Sequence, residues 1–253
     1  MSRNKSARQR EIVQALELRP SLRVAELAGQ LSVSSETIRR DLDELTEAGL
    51  IERTYGGAVR RLAGEPAVGE RHTQLVRERE AIARAACPLL KGARHLMLGS
   101  GATTLHVARR IAVELRDVTV ITHCFGVATV LSLNPTIEVL MTPGRYHAGE
   151  GALHGAETLQ FLQTLRADWA VLGASGLSEE GPSDALIEAG SVYRAMAERA
   201  SRAMVVADAS KFDRVFPSAW APWPAIEVVV SDQSPTGALA RALSEAAVAV
   251  RLA

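Results

Sequence analysis

The chain has 253 residues, of which 47% are hydrophobic, and its 29 basic and 29 acidic side chains give a formal net charge of zero. This length allows a substantial core in one large domain or two smaller ones. No apolar run approaches a membrane span and no signal-peptide core follows the basic start, so we expect a cytoplasmic protein with no membrane association. Two cysteines are too few for a disulfide framework, and the six histidines lack metal-ligand spacing, so we expect no metal and no other cofactor.

The first residues carry three amphipathic helical patterns. Apolar side chains recur on one face in "RQREIVQALEL" and in "VAELAGQL". In "VSSETIRRDLDEL" the recurring residues are Ile38, Leu42 and Leu45. Ser34 precedes this third helix and is predicted to cap it by accepting the backbone N–H of Thr37.

A short hairpin is predicted after the third helix. Gly49 marks the end of that helix, and "LIERTYGGAVRR" predicts two strands that turn at Gly56 and Gly57, because glycine tolerates the positive φ of a tight turn. Three helices followed by a hairpin form the winged helix-turn-helix pattern, in which the third helix fits the major groove of DNA. The sequence therefore predicts a DNA-binding domain over residues 1–62.

The candidate DNA contacts lie at the start of the third helix and beside the hairpin. Arg39 and Arg40 are expected to contact phosphate or guanine. The other polar or basic candidates are Ser34, Ser35, Glu36, Thr37, Arg60 and Arg61. The alternative interpretation is an ordinary solvated face on a protein-interaction module.

The second half has the pattern of an α/β domain. "AGEPAVGE" has the composition of a linker, which we place at 63–76, and a further domain is predicted over 77–253. From Leu96 onward, apolar strand-like segments alternate with helix-like segments such as "TTLHVARRIAVEL" and "SVYRAMAERA". This alternation predicts a mostly parallel sheet covered by helices on both faces.

The segment "MLGSGATTLHVA" predicts an anion site. A glycine-containing turn lies between a strand and a helix, so backbone N–H groups and the helix dipole would converge on one small space. The residues concerned are Gly99, Ser100, Gly101, Thr103 and Thr104. A tight strand-to-helix turn without a ligand is the alternative, and the segment fits neither G-x-G-x-x-G nor the P-loop.

Other polar residues follow the predicted strands. Lys211 in "ADASKF" comes after an apolar strand, where ligands usually lie in open α/β sheets, and is a candidate counter-charge. Arg145 in "TPGRYH" and Glu188 in "LIEAG" are weaker candidates of the same kind.

Two further pairs invite functional interpretations. His123 and Cys124 are adjacent, but neighbouring residues after a strand point in opposite directions, which argues against a Cys–His nucleophile. Trp220 and Trp223 resemble a base-stacking pair, but a lid over the pocket or a subunit contact is the favoured interpretation.

Together these segments resemble the DeoR-type bacterial transcriptional regulators across essentially the whole chain. The stretch "LAGQLSVSSETIRRDLDELTEAGLIERTYGGAV" is similar to the helix-turn-helix signature of that family and adds Tyr55 to the DNA-contact candidates. "GSGATT", "GRY", "LGASGL" and "ADASKF" resemble its sensor domain, which is related to ribose-phosphate isomerases and coenzyme A transferases. The resemblance implies a homo-oligomeric repressor, dimer or tetramer, of a sugar or carbohydrate operon, released by a phosphorylated sugar or related metabolite.

The resemblance also assigns effector-site residues. The phosphate loop of the family falls on residues 99–104, and its ligand lysine falls on Lys211. The sequence departs from the family at His123, where asparagine is common, at Ser175, where an aspartate is usual, and at Tyr193, where many members have lysine. The effector-binding candidates are Gly99, Ser100, Gly101, Thr103, Thr104, His123, Arg145, Ser175, Glu188 and Lys211.

A sugar-phosphate isomerase with an appended DNA-binding domain is the main alternative function. Isomerization needs a positioned acid or base, and the isomerase relatives carry Asp-Gly-Ala-Asp where this chain has "LGAS", 172–175. Both acids are missing. We therefore expect a regulator and not an enzyme, with no catalytic residue.

Overall fold

The computed structural model describes residues 5–18, 21–47, 51–54, 57–60 and 68–253. The chain divides into two compact units, Met1–Glu65 and Pro66–Ala253. Among the described residues, no helix is long and apolar enough to cross a membrane.

The first unit contains the three predicted helices and the predicted hairpin. Its elements in chain order are α1 Lys5–Leu18, β1 Ser21–Arg23, α2 Val24–Leu31, α3 Ser35–Glu47, β2 Ile51–Thr54 and β3 Gly57–Arg60. The strands form an antiparallel sheet in the order β1-β3-β2. Strand β1 was not predicted from the sequence, because a three-residue strand carries no periodic pattern. The predicted helix end at Gly49 and the turn residue Gly56 lie outside the described residues.

The core of the first unit is made by the predicted apolar stripes. Ile38, Leu42 and Leu45 are buried, as predicted, and pack in one cluster with Ile12 of α1 and Leu27 of α2. Because these apolar positions recur every three or four residues, one face of each helix turns inward and the opposite face remains in water.

The second unit is built around a large parallel sheet. Its elements are α4 Val68–Arg71, α5 Val76–Ala86, β4 His95–Leu98, α6 Ala102–Glu114, β5 Val118–Thr122, α7 Phe125–Leu131, β6 Ile137–Met141, β7 Arg145–His147, β8 Ala152–His154, α8 Ala156–Gln163, β9 Ala167–Leu172, β10 Gly176–Ser178, β11 Gly181–Asp184, α9 Ile187–Arg199, β12 Ala200–Val206, β13 Ser218–Ala219, β14 Val228–Ser231, α10 Gly237–Glu245 and β15 Ala249–Leu252. Seven strands pair in parallel in the order β15-β14-β12-β9-β4-β5-β6. The predicted α/β class is confirmed.

Both faces of this sheet are covered. In β4, Leu96 and Leu98 pack into one apolar cluster, whereas Met97 between them packs into the other. Consecutive strand residues point to opposite faces, so a strand buried on both faces has a continuous apolar sequence. Trp220 and Trp223 are also buried in the second cluster. The lid or subunit-contact interpretation of these tryptophans is therefore wrong, because both rings belong to the core.

The strand order creates a switch point beside β4. From β4 the chain proceeds outward through β5 and β6, and it then returns to place β9 on the other side of β4. Crevices outside the carboxyl ends of parallel strands at such a point are the usual ligand sites of open α/β sheets. The turns after β4 and β9 both face this crevice.

Several features were not predicted from the sequence. Residues 68–76, assigned to the linker, contain α4 and the first residue of α5 and cluster with the second unit. The backbone N–H of Val68 donates to the carbonyl of Gly149 at 2.8 Å. Two small antiparallel sheets, β7-β8 and β10-β11-β13, also lie outside the predicted alternation.

Candidate functional site

The start of α3 is capped and its arginines are exposed. The Oγ of Ser34 accepts the backbone N–H of Thr37 at 3.2 Å, which confirms the predicted cap. The side chains of Arg39 and Arg40 are 56% and 79% exposed, and Ser35 and Glu36 are exposed beside them. The helix therefore presents a polar and partly cationic face to solvent.

Glu36 lies between the two arginines. Its carboxylate is 3.5 Å from Nη1 of Arg39 and 3.9 Å from Nε of Arg40. These distances and exposures describe loose surface ion pairs, which contribute little to stability and are weakened by salt. Both guanidinium groups can therefore exchange Glu36 for another anion, such as a phosphate.

A buried ion pair fixes α3 against α1. Nε and Nη2 of Arg8 donate to the two carboxylate oxygens of Asp41 at 2.5 and 3.0 Å, and Asp41 is 2% exposed. Hydrogen bonding to Asp41 raises the pKa of Arg8. This bidentate geometry is the strong form of an arginine–carboxylate contact. It sets the rotation of α3, and with it the direction of the exposed arginines.

The remaining described DNA-contact candidates lie at the cap of α3 and in the hairpin. Thr37 is half-buried at the cap. Arg60 is the last residue of β3, and its backbone is paired with that of Ile51 in β2. Tyr55 and Arg61 lie outside the described residues.

The predicted anion loop lies at the switch point of the sheet. It begins after β4 and leads into α6, which is preceded by Gly101 with a φ of 118° and no side-chain cap. The first-turn N–H groups of an uncapped helix lack intrahelical acceptors and attract anions. Thr103 and Thr104 are buried in this turn, and the Oγ1 of Thr104 donates to the carbonyl of Gly101 at 2.9 Å. We call residues 99–104 the cradle.

One predicted donor of the cradle is already engaged. The backbone N–H of Ser100 donates to Nε2 of His123 at 3.0 Å, so the prediction that this N–H faces an anion is wrong for the structure as it stands. His123 follows β5 and is fully buried, and its Nδ1 donates to the carbonyl of Leu153 at 2.9 Å. Burial and the neighbouring His154 lower the pKa of His123 to about 3. A neutral imidazole therefore holds the cradle in place.

Tyr193 of α9 completes the support of the cradle. Its hydroxyl donates to the carbonyl of Ser100 at 2.7 Å and lies 3.0 Å from the Oγ of the same residue. Gly99 makes room for this ring, because a Cβ at Gly99 would lie 2.8 Å from Cε1 of Tyr193. Burial raises the pKa of Tyr193 well above its usual value. The glycine of the loop is thus required by packing against the tyrosine.

The turn after β9 forms the opposite wall. A Cβ at Gly173 would lie 3.6 Å from the carbonyl oxygen of Ser100, so this turn packs closely on the cradle. Ser175 is buried, and its backbone N–H donates to the carbonyl of Ser183 at 3.0 Å. The structure therefore brings Ser175 to the edge where the cradle lies.

The β7-β8 hairpin brings further polar groups to the same edge. Arg145 pairs with His154 in the hairpin, and the imidazole of His154 lies 5.3 Å from that of His123 between ring centroids. Both Arg145 and Glu188, in the first turn of α9, are exposed and act electrostatically on His154. The two weaker predicted candidates thus lie near the cradle.

Lys211 has a less direct relation to the cradle. It ends a single helical turn that Asp208 caps after β12, and Asp208 also pairs with the buried Arg79 at 3.3 Å. The neighbouring Phe212 forms a backbone bridge with Leu177, just beyond the turn that follows β9. Lys211 therefore lies at the predicted edge of the sheet.

Two supporting residues, Tyr193 and His154, were not predicted as site residues. One feature of the sequence pointed to Tyr193, because it replaces the lysine that many members of the resembled family have. His154 had none, because its place beside His123 depends on a hairpin that the sequence did not predict. Cys124 is buried and burial raises its pKa, which argues against a nucleophile. Among the described residues, no three potential metal ligands come together.

Comparison with family models assigns both units. Residues 8–61 match the model described as a DeoR-like helix-turn-helix domain, and residues 74–233 match the model described as a DeoR C-terminal sensor domain. The two matches cover α3 with its exposed arginines and the whole of the cradle.

Three proteins with similar sequences are transcriptional regulators. The chain is 32% identical over 195 residues to the glycerol-3-phosphate regulon repressor of Escherichia coli K12, covering 75% of each protein. It is 29% identical to the HTH-type transcriptional regulator GolR of Listeria innocua, covering 97% of this chain and 98% of that protein. It is 28% identical to the lactose phosphotransferase system repressor of Lactococcus lactis, covering 83% and 84%.

Among solved structures, one match is ribose 5-phosphate isomerase A of Methanocaldococcus jannaschii. The identity is 18%, the match covers 53% of each chain and the TM-score is 0.40.

Proposed function

The chain belongs to the DeoR family of transcriptional regulators, and we propose that it represses a carbohydrate operon and is released by a phosphorylated sugar. The observation that supports the proposal is that one chain contains two sites suited to binding anions. One is the exposed arginine face of α3, held by the Arg8–Asp41 pair, and the other is the uncapped cradle before α6. Two of the named relatives are repressors whose names refer to glycerol 3-phosphate and to lactose.

The DNA-binding role is assigned to the polar face of α3. Arg39 and Arg40 would contact phosphate or guanine, while Ser34, Ser35 and Thr37 would fix the helix start on the DNA backbone. Glu36, Tyr55, Arg60 and Arg61 complete the proposed contact set. The long exposed arginine side chains support this role, because they reach furthest from the helix.

The effector role is assigned to the cradle and the edge around it. The N–H groups of Thr103 and Thr104 would hold a phosphate through the positive end of the α6 dipole, and Gly101 would leave the start of the helix open to it. Ser100 and His123 would keep the turn in shape, and Gly99 would admit Tyr193. The surrounding polar residues Arg145, Ser175, Glu188 and Lys211 would recognise the rest of the molecule.

Release from DNA requires the two sites to be coupled. A ligand shifts an equilibrium only by the difference in its affinity for the two states, so the effector must favour an arrangement that binds DNA less tightly. We propose that this arrangement is one of a homo-oligomer, dimer or tetramer, because paired recognition helices must match half-sites about 34 Å apart or a multiple of that.

A DNA-binding titration tests this proposal. The double variant Arg39→Ala, Arg40→Ala should bind operator DNA more weakly than the unaltered protein. Its affinity should also depend less on salt, because each lost phosphate contact removes about 0.9 from the slope of log K against log salt concentration. Fluorescence anisotropy at several salt concentrations measures both quantities. Arg84→Ala, on helix α5 of the second unit, is the matched control, and its curve should coincide with that of the unaltered protein. An unchanged double variant would contradict the assignment.

The isomerase alternative has less support. The positions that would carry its acids are Leu172, which is fully buried in the core, and Ser175. Neither side chain can serve as a carboxylic acid or carboxylate base. We propose that the protein is not an enzyme, and turnover of ribose 5-phosphate by the purified chain would overturn this.

A further inference from the structure

The imidazole of His154 is an unexplained buried polar group. His154 is 2% exposed, and its Nε2 has no hydrogen-bond partner among the described residues. Leaving a buried donor or acceptor unpaired destabilises the folded state, and such groups are uncommon in native proteins. A ligand group that paired with Nε2 of His154 would offset this cost.

His154 lies next to the histidine that supports the cradle. Its ring centroid lies 5.3 Å from that of His123, and Nε2 of His123 accepts the N–H of Ser100. On its other side, its ring centroid lies 5.8 Å from that of His147. Only one imidazole therefore separates His154 from the backbone of the proposed phosphate site.

The charge state of His154 selects the type of ligand group. Burial, with the neighbouring His147, lowers the pKa of His154 to about 4, so the ring is neutral near pH 7. A neutral imidazole offers one N–H donor and one nitrogen acceptor. It suits a hydroxyl group, which also donates and accepts, better than it suits a phosphate.

The charged groups nearby are consistent with the same type of ligand. Glu188 and Arg145 act electrostatically on His154 with opposite sign, and both are exposed at the same edge. A carboxylate accepts hydrogen bonds from hydroxyl groups and repels phosphate. The edge beyond the cradle therefore combines a neutral ring, a carboxylate and a guanidinium group, each of which can form a hydrogen bond with a hydroxyl group.

We infer that Nε2 of His154 binds a hydroxyl group of the effector while the cradle holds its phosphate. The inference rests on the proposed function, because it needs a phosphorylated sugar in the cradle. It adds a residue that determines specificity for the sugar part of the ligand, and it explains why an unpaired imidazole is retained.

The test compares ligands with and without hydroxyl groups. The probes are inorganic phosphate, glycerol 3-phosphate, ribose 5-phosphate and glucose 6-phosphate, titrated calorimetrically against the full chain and against His154→Leu and His154→Gln. His106→Leu is the matched control, because His106 is also buried with an unpartnered Nε2 but belongs to another cluster, beside His72 and Arg109.

We expect His154→Leu to lose about tenfold in affinity for the sugar phosphate that binds the unaltered protein most tightly. Its affinity for inorganic phosphate should be unchanged, and His154→Gln should recover part of the loss. The melting temperature without ligand should not fall in His154→Leu, since an unpaired polar group is removed. This combination separates a ligand contact from a structural role.

The opposing outcomes are distinct. If His154→Leu loses affinity for inorganic phosphate as much as for the sugar phosphate, His154 supports the cradle. If it loses affinity for no probe, His154 contacts no ligand. Either result overturns the inference and leaves the proposed function standing. If no phosphate compound binds the unaltered protein, the proposed function fails and the inference fails with it.

Discussion

Helices α3 and α6 begin in different ways, and the difference matches their proposed ligands. Ser34 caps α3 with its own side chain, whereas Gly101 precedes α6 without a side chain and leaves the first turn open. A helix that enters a DNA groove contacts it mainly through outward side chains, so its own end can be closed. A helix that binds a small anion uses its backbone N–H groups, so its end must remain open.

The two regions also differ in how their polar groups are held. Arg39 and Arg40 are exposed and loosely paired, but Ser100, His123 and Tyr193 are buried and joined by hydrogen bonds of 2.7 to 3.0 Å. A flexible arginine can adapt to a DNA backbone. A buried network instead keeps one shape, which suits the recognition of a single small molecule.

The largest effect is expected from breaking the support of the DNA face. Asp41→Ala leaves the buried Arg8 without its carboxylate, and removing one partner of a buried ion pair costs about 4 kcal/mol. Hydrogen exchange of the α3 amides in the full chain should show this loss in the first unit. Glu44→Ala is the control, because exposed Glu44 joins the same two helices through Lys5 and Gln9 and should cost far less. Equal losses would contradict the special role of the Arg8–Asp41 pair.

The next effect concerns the support of the cradle. Gly99→Ala would place a Cβ 2.8 Å from the ring of Tyr193, and forcing an extra carbon into a packed site costs about 2 kcal/mol. Urea unfolding of the second unit measures the loss. Gly126→Ala in α7 is the control, since its Cβ would meet only an ordinary contact at 3.6 Å from Leu105. If both variants unfold alike, the packing argument for Gly99 is wrong.

Mild acid should distinguish the two units. Burial keeps His123 neutral in the folded state, with a pKa of about 3, whereas the unfolded chain binds a proton near pH 6.5. The stability from this group is complete above pH 6.5 and declines as pH falls toward 3, by about 2 kcal/mol at pH 5. His154 acts in the same direction, and residues 1–65 contain no histidine.

Hydrogen exchange at pH 7.5 and pH 5.0, corrected for intrinsic rates, measures this difference unit by unit. The second unit should lose stability over this range, and His123→Gln should reduce the loss. A parallel decline in the first unit, or an unchanged slope in the variant, would argue against the histidine explanation.

The smallest effect is expected from Glu36. Glu36→Gln removes a carboxylate that competes with DNA for Arg39 and Arg40, so affinity for DNA of any sequence should rise about fivefold at low salt. Anisotropy titrations with unrelated DNA sequences measure it. Asp43→Asn, a charge removal elsewhere on the exposed part of α3, is the control for net charge. A decrease in affinity would instead indicate that Glu36 itself contacts a base.

Much of the fold could be predicted because its signals are local. The apolar stripe of α3 and its cap at Ser34 need only residues a few positions apart, and the long apolar strands identify a sheet buried on both faces. Short strands such as β1 and the β7-β8 hairpin could not be predicted, because three residues carry no periodicity and their partners are distant in the sequence.

The element types, the glycine turn before α6 and the arginines at the start of α3 can be predicted from the sequence alone, because each follows from neighbouring residues. The groups that surround the cradle depend instead on the three-dimensional arrangement of the second unit. His123 follows β5, Tyr193 belongs to α9 and His154 ends β8, and they meet because strand order and helix packing bring distant segments together. The role of Gly99 likewise depends on a ring 94 positions further along the chain, a contact that no local pattern encodes.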